Sequence, residues 1–187
     1  ASTGYQILQF SLEEGIRRGV LVGPRFRGAP ITLSGQPPSV QVAALGEPGN
    51  KARIVTVGEA WLTELLQPFG HEMIDRLSHH PSARSGLSAA YQGFEWAKTL
   101  YEKPNPAGGY PGTWMLTSDL KTATDFVVHD YAKALLRGFC AGQNIKNPYI
   151  HLCIDLLCSP RVLTNKFSHG VLTALGALMG DPGTKAV

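Results

Sequence analysis

Apolar residues recur at helical spacing through "EAWLTELLQPFGHEMIDRLSH", residues 59 to 79, where Trp61, Leu62, Leu65, Leu66, Phe69, Met73 and Leu77 would share one helix face. Pro68 and Gly70 interrupt that period, because proline lacks a backbone donor and crowds the carbonyl of the preceding turn; the stretch predicts two helices or one that kinks. "DFVVHDYAKALLRGF" predicts an amphipathic helix ending near Gly138, and "SAAYQGFEWAKTLYEK" another, with Tyr91, Phe94 and Leu100 near one face. Nearer the start, "SLEEGIRRG" pairs Ser11 with Glu14 in a capping-box pattern and places Gly19 as a stop, predicting a short helix there.

Strand signals are fewer. "ARIVTV" is β-branched and compact, and "TWMLTSDL" reads as a strand that brings Asp119 to its end. Val22 to Gly49 is dense in Gly and Pro and predicts loops with short strands, while "KPNPAGGYPG" is a plain loop. "NPYIHLCIDLLCSPRVLTNKF" fits helix and strand equally, and "GVLTALGALMGDPG" gives a glycine-punctuated loop leading toward "TKAV", a helix start. No internal repeat appears.

Composition narrows the picture. The 187 residues fit one large domain or one domain with part of another, and 43% hydrophobic against 17% charged residues excludes a disordered chain. A net charge of +3 and a pI near 8.8 do not by themselves mark a nucleic-acid binder. Positive charge gathers in the first third, at Arg17, Arg18, Arg25, Arg27, Lys51 and Arg53, where a phosphate-rich partner could be met; solvated surface charge is the reading for Arg17 and Arg18.

Cys140, Cys153 and Cys158 are too few for a disulfide framework, and their apolar surroundings suit buried free thiols better than a zinc site built on His151 and Cys153. The other five histidines, His71, His79, His80, His129 and His169, have no spacing that demands a role, so solvated or locally bonded rings are expected. Trp61 and Trp114 sit in apolar stretches and are expected in the core. No apolar run reaches the roughly 18 residues of a membrane helix, and the first ten residues lack the plan of a signal peptide.

Three stretches carry candidate chemistry. Asp119 at a strand end is held by a rigid element yet open to solvent, where Mg²⁺ with a nucleotide's phosphates could be met; capping of the following helix is the plainer alternative. Lys51 and Arg53 alternate along one strand face and could grip a triphosphate, or protect a sheet edge by their charge. "GALMGDPGTK" must turn tightly at Gly176, Gly180 and Gly183 and could let a nucleic-acid backbone come close, but it lacks the residue order of a P-loop.

The order of these stretches is more specific than any one of them. "EPGNKARIVTVGEAW", "SDLKTATD" and "LMGDPGTKAV" resemble motifs F, A and B of viral RNA-dependent RNA polymerases, of the narnavirus and levivirus group and most of all its ourmiavirus-like branch. The resemblance runs from about Glu47 to Val187. It implies an α+β chain, the fingers and first half of the palm of a right-hand polymerase, with residues 1–110 fingers-like and 111–187 palm, and helices packed on one face of a small antiparallel sheet that carries Asp119.

By that resemblance, Asp119 is the catalytic, metal-binding aspartate of motif A, serving two Mg²⁺ or Mn²⁺ ions. Asp125 is the aspartate that senses the ribose 2′-hydroxyl, Gly180 and Thr184 are the motif B glycine and threonine, and Lys51 and Arg53 line the nucleotide path; Asp181 and Lys185 belong to the same signature with their roles open. Implied partners are template and nascent RNA and nucleoside triphosphates, in a virus-encoded enzyme of the host cytoplasm, with mitochondrial replication as the alternative. Motif C, with the remaining metal-binding aspartates, is absent, so a fragment of a longer polymerase, inactive alone, is expected. Two other readings stay open: a reverse transcriptase-like palm, disfavoured by the small polar "KTATD", and a non-catalytic RNA-binding domain.

Overall fold

The computed structural model describes residues 2–24, 29–49, 51–80, 83, 87, 123–165, 168–178 and 180–184. Their elements, in chain order, are α1 (Thr3–Arg17), β1 (Leu21–Val22), β2 (Thr32–Leu33), β3 (Ser39–Glu47), β4 (Lys51–Gly58), α2 (Ala60–Ser78), α3 (His129–Gly142), α4 (Pro148–Leu157), β5 (Val162–Asn165) and β6 (Ser168–Leu172). The strand expected to carry Asp119, the helix expected over "SAAYQGFEWAKTLYEK", and Trp114 lie outside the described residues.

The chain divides into a unit of Ala1–Met73 with Thr122–Val187 and a second of Ile74–Lys121. Of the second unit only residues 74–80, 83 and 87 are described, mostly the last turn of α2.

In the first unit a four-stranded sheet runs in the order β4, β3, β5, β6. β3 and β4 form a hairpin with register from Val40↔Gly58 to Glu47↔Lys51. Its turn uses Gly49 at φ 86°, a left-handed backbone conformation that glycine adopts without a Cβ penalty. On its other edge β3 pairs in parallel with β5, Ser39↔Val162 to Gln41↔Thr164, and β5 pairs antiparallel with β6. The sheet is therefore mixed, and it carries Lys51 and Arg53. β3 is nine residues long where Gly and Pro predicted only short strands; "SVQVAALGE" is weak in β-branched residues, and pairing on both edges overrides that propensity.

The core is built on α2. Trp61, Leu62, Leu65, Leu66, Phe69 and Met73 are all buried at the predicted spacing and pack with Ala132, Leu136 and Cys140 of α3 and with Ile150, Cys153, Ile154 and Leu157 of α4. α2 runs on through Pro68, which is exposed, as one helix. α4 is buried nearly all round, which is why its sequence shows no helical period. Its start is nonetheless local chemistry: Pro148 stands in the first turn and the Asn147 side chain accepts from Tyr149 N at 3.0 Å.

Two helix boundaries differ from the sequence expectation. α1 begins at Thr3, so Ser11 is no cap; it is buried in mid-helix and its Oγ donates to the Ile7 carbonyl at 2.9 Å, the back-bond open to serine inside a helix. Glu14 instead bonds Arg17 and Arg18, and Gly19, at φ 73°, ends the helix as expected. α3 continues past Gly138 to Gly142, because Gly138 meets open space and a lone glycine weakens a helix by only about 1 kcal/mol. Among the described residues no helix is long and apolar enough to cross a membrane.

Candidate functional site

β4 delivers the chain from Lys51 and Arg53 at its start to Gly58 at its end, where Glu59 turns it into α2. Register sets Lys51 opposite Glu47 and Arg53 opposite Leu45, and Arg53 is exposed. At the other end, the Glu59 carboxylate accepts from Ser39 Oγ at 2.5 Å and from Trp61 Nε1 at 2.6 Å and pairs with Arg18 at 2.8 Å. Arg18 is thus tied to the β4–α2 junction rather than merely solvated, although its side chain keeps 44% exposure.

The loop from Gly180 to Thr184 lies against this same end of β4. A Cβ at Gly180 would overlap the Thr56 carbonyl oxygen, so only glycine allows the approach, and the approaching backbone is the protein's own strand. Gly183, at φ 91°, lies on the Phe69 ring, and a Cβ on Gly70 of α2 would come 2.7 Å from Gly183 N. Within the loop, Asp181 N donates to Leu178 O at 3.0 Å, Thr184 N to Asp181 O at 3.2 Å, and the Thr184 hydroxyl is held between Leu178 O at 2.6 Å and Asp181 O at 2.9 Å.

Asp181, whose role was open in the sequence, is buried and pairs with Arg161 Nη2 at 3.0 Å. Arg161 Nη1 donates to Ser159 O at 3.1 Å and to Ser159 Oγ at 2.6 Å. The sequence signal for this pair was slight: one arginine in the apolar "LLCSPRVL", with no periodic partner to point at the aspartate twenty residues on.

A second junction joins the Asp125 segment to the chain entering the loop. Gly176 N donates to Val127 O at 2.8 Å and Ala177 N to Thr124 O at 2.9 Å. His129, buried at the start of α3, lies 2.9 Å through Nε2 from the Gly176 carbonyl, to which it donates. A Cβ on Gly176 would sit 3.1 Å from Asp125 O, while the Asp125 side chain is exposed. His129 is a residue that sequence reasoning left without a role; here it pins the approach to the loop.

Two of the three candidate stretches, β4 and the Gly180 loop, are therefore in direct contact, and the Asp125 end of the third abuts the segment leading into that loop. Asp119 and Lys185 lie outside the described residues. Among the described residues no group of three or more His, Cys, Asp or Glu side chains could hold a metal ion, and the Asp181 carboxylate is occupied by Arg161. The described donor set does not by itself fit a divalent cation.

Cys140, Cys153 and Cys158 are buried and form no disulfide, as expected. Burial pushes the Cys153 thiol up to about 12 and the Cys158 thiol up to about 11, so neither is a poised nucleophile at neutral pH.

No family model matches the chain, and no solved structure matches it. The chain spans 17% of the length of a curated relative that it matches, the RNA-directed RNA polymerase of Saccharomyces 23S RNA narnavirus. Over 163 residues, 86% of the chain, the two are 28% identical, which makes this chain similar in sequence to part of a viral RNA-directed RNA polymerase.

Proposed function

We propose that this chain is part of a viral RNA-directed RNA polymerase, which in its full length synthesises RNA on an RNA template from ribonucleoside triphosphates. Residues 1–110 belong to its fingers and 111–187 to its palm. The observation that carries this reading is the contact of the Gly180–Thr184 loop with β4: stretches more than a hundred residues apart, which separately resemble motifs B and F, meet through a glycine that no other residue can replace. The narnaviral similarity over 86% of the chain supports the same reading.

In this reading Arg53 and Lys51, at the open end of β4, attract the triphosphate of an entering nucleotide; arginine supplies a planar fork and lysine a point charge for phosphate oxygens. Asp125, exposed beside Gly176, accepts a hydrogen bond from the ribose 2′-hydroxyl, a group that a deoxynucleotide lacks. The loop presents Gly180 and Thr184 to the nucleotide and template. Asp119 is the catalytic aspartate and the metal ligand. Two Mg²⁺ or Mn²⁺ ions, when bound in the complete enzyme, would stabilise the attacking and leaving oxygens of nucleotidyl transfer. Template RNA, nascent RNA and nucleoside triphosphates are its partners, and the host cytoplasm is its place of work.

The deciding experiment is template-dependent incorporation of labelled ribonucleotide by the full-length protein. Asp119→Ala should abolish it, because water cannot replace a fixed carboxylate shared between cations. Incorporation retained by that variant overturns the assignment, and incorporation of deoxynucleotides in preference to ribonucleotides by the wild type would favour a reverse transcriptase instead.

A further inference from the structure

Arg161 stands where β5 begins and is 1% exposed. Arginine stays charged in proteins, so a buried guanidinium must be held by well-placed acceptors. Here Nη1 is taken by Ser159 and Nη2 by Asp181, while Nε has no partner. The Asp181 Oδ1 oxygen lies toward the end of β4, 3.5 Å from where a Cβ on Gly58 would stand. One carboxylate thus joins the Gly180–Thr184 loop to the start of β5 beside the end of β4.

The loop's other internal bonds fix its shape rather than its place. Asp181 N to Leu178 O, Thr184 N to Asp181 O and the Thr184 hydroxyl bonds all close within residues 178–184. Gly180 on Thr56 and Gly183 on Phe69 are packing contacts, which have no preferred direction. The Arg161–Asp181 pair is directional, buried and reaches outside the loop.

We propose that Arg161 is a positioning residue: by holding Asp181 it sets where the loop presents Gly180 and Thr184 to nucleotide and template. This rests on the polymerase reading given above. Removing either partner alone leaves an uncompensated buried charge and destabilises the fold, so the informative variant is R161M/D181L, which replaces both with apolar side chains, a change that is often neutral for stability.

In the full-length polymerase this double variant should keep the wild-type melting temperature. Its KM for ribonucleotides should rise about tenfold, more than kcat falls, and its preference for ribo- over deoxyribonucleotides should weaken by a similar factor. Amide hydrogen exchange at residues 180–184 should accelerate. A folded double variant with wild-type KM, selectivity and exchange overturns the proposal. Should it fail to fold, R161K decides: lysine keeps the cation but cannot hold Ser159 and Asp181 with one fork, so KM should rise about threefold, and a wild-type KM overturns the proposal. Hydrogen exchange needs no turnover. Faster exchange together with no template-dependent RNA synthesis by the full-length wild type would sink the polymerase reading while leaving the loop-holding role of Arg161 standing.

Discussion

Gly180 shows how a single residue can be read as special while its structural neighbour stays hidden. Its place among closely spaced glycines marked a point of close backbone approach, but the sequence could not say whose backbone; the partner is the Thr56 carbonyl of β4, more than a hundred residues earlier. Gly180→Ala should therefore push the loop off the strand and destabilise the chain by about 1–3 kcal/mol, the range for overpacked sites, as measured by urea unfolding. Asp125→Ala should behave oppositely. Its carboxylate is exposed, so stability should stay within about 0.5 kcal/mol of wild type, while single-turnover discrimination between ribo- and deoxyribonucleotides by the full-length enzyme falls. Unchanged discrimination would remove Asp125 from the ribose-sensing role. Arg161 and His129 were illegible for a different reason: lone polar residues in apolar sequence acquire meaning only from the distant groups they meet, Asp181 and the Gly176 carbonyl.

At the scale of elements, α2 was the most legible, since seven apolar positions at helical spacing outweigh one proline. Pro68 falls on the exposed side, where the lost donor and the ring disturb no packing, so the helix continues. Gly70 looked like a second breaker and has another use: it lets the Gly180–Thr184 loop rest on the helix. On helix propensity alone Gly70→Ala would stabilise by about 1 kcal/mol. Against the Gly183 backbone, 2.7 Å from the new Cβ, the sign should reverse, with a lower urea midpoint at unchanged m-value. A raised midpoint would mean that the loop yields easily and that α2 does not hold it. α4 and β3 were harder to read. A helix buried over most of its surface has too narrow a polar stripe to mark its period, and a strand paired on both edges can form from sequence of poor strand propensity.

At the scale of the whole molecule, what sequence could not supply is the pairing of β3 with β5, since a parallel contact across some 120 residues leaves no local trace. Packing against α2 and α3 buries α4 and with it the groups that govern the response to pH. Cys153 and Cys158 are pushed up to about 12 and about 11 from an ordinary value of 9.0, each chiefly because burial disfavours the thiolate, and burial raises Tyr149, whose hydroxyl donates to Leu65 O at 2.6 Å. Raised values mean that the folded state holds the neutral forms. Their stabilisation is complete below pH 9 and is lost progressively as pH rises through 11 and 12, because the unfolded chain ionises first. Glu14 acts at the other extreme: Arg17 and Arg18 lower its carboxyl to about 2, so its contribution is present above pH 4.5 and fades as pH falls toward 2, and solvent around the exposed arginines keeps that contribution small. The chain should therefore show a shallow acid limb and a steep alkaline limb in urea midpoint against pH. Cys153→Ala with Cys158→Ala should flatten the alkaline limb while lowering the midpoint at pH 7 through the space left in the core. Thiol labelling at pH 8 should be slow for the native protein and complete after denaturation; rapid native labelling of Cys153 or Cys158 would show that α4 opens away from α2 without global unfolding.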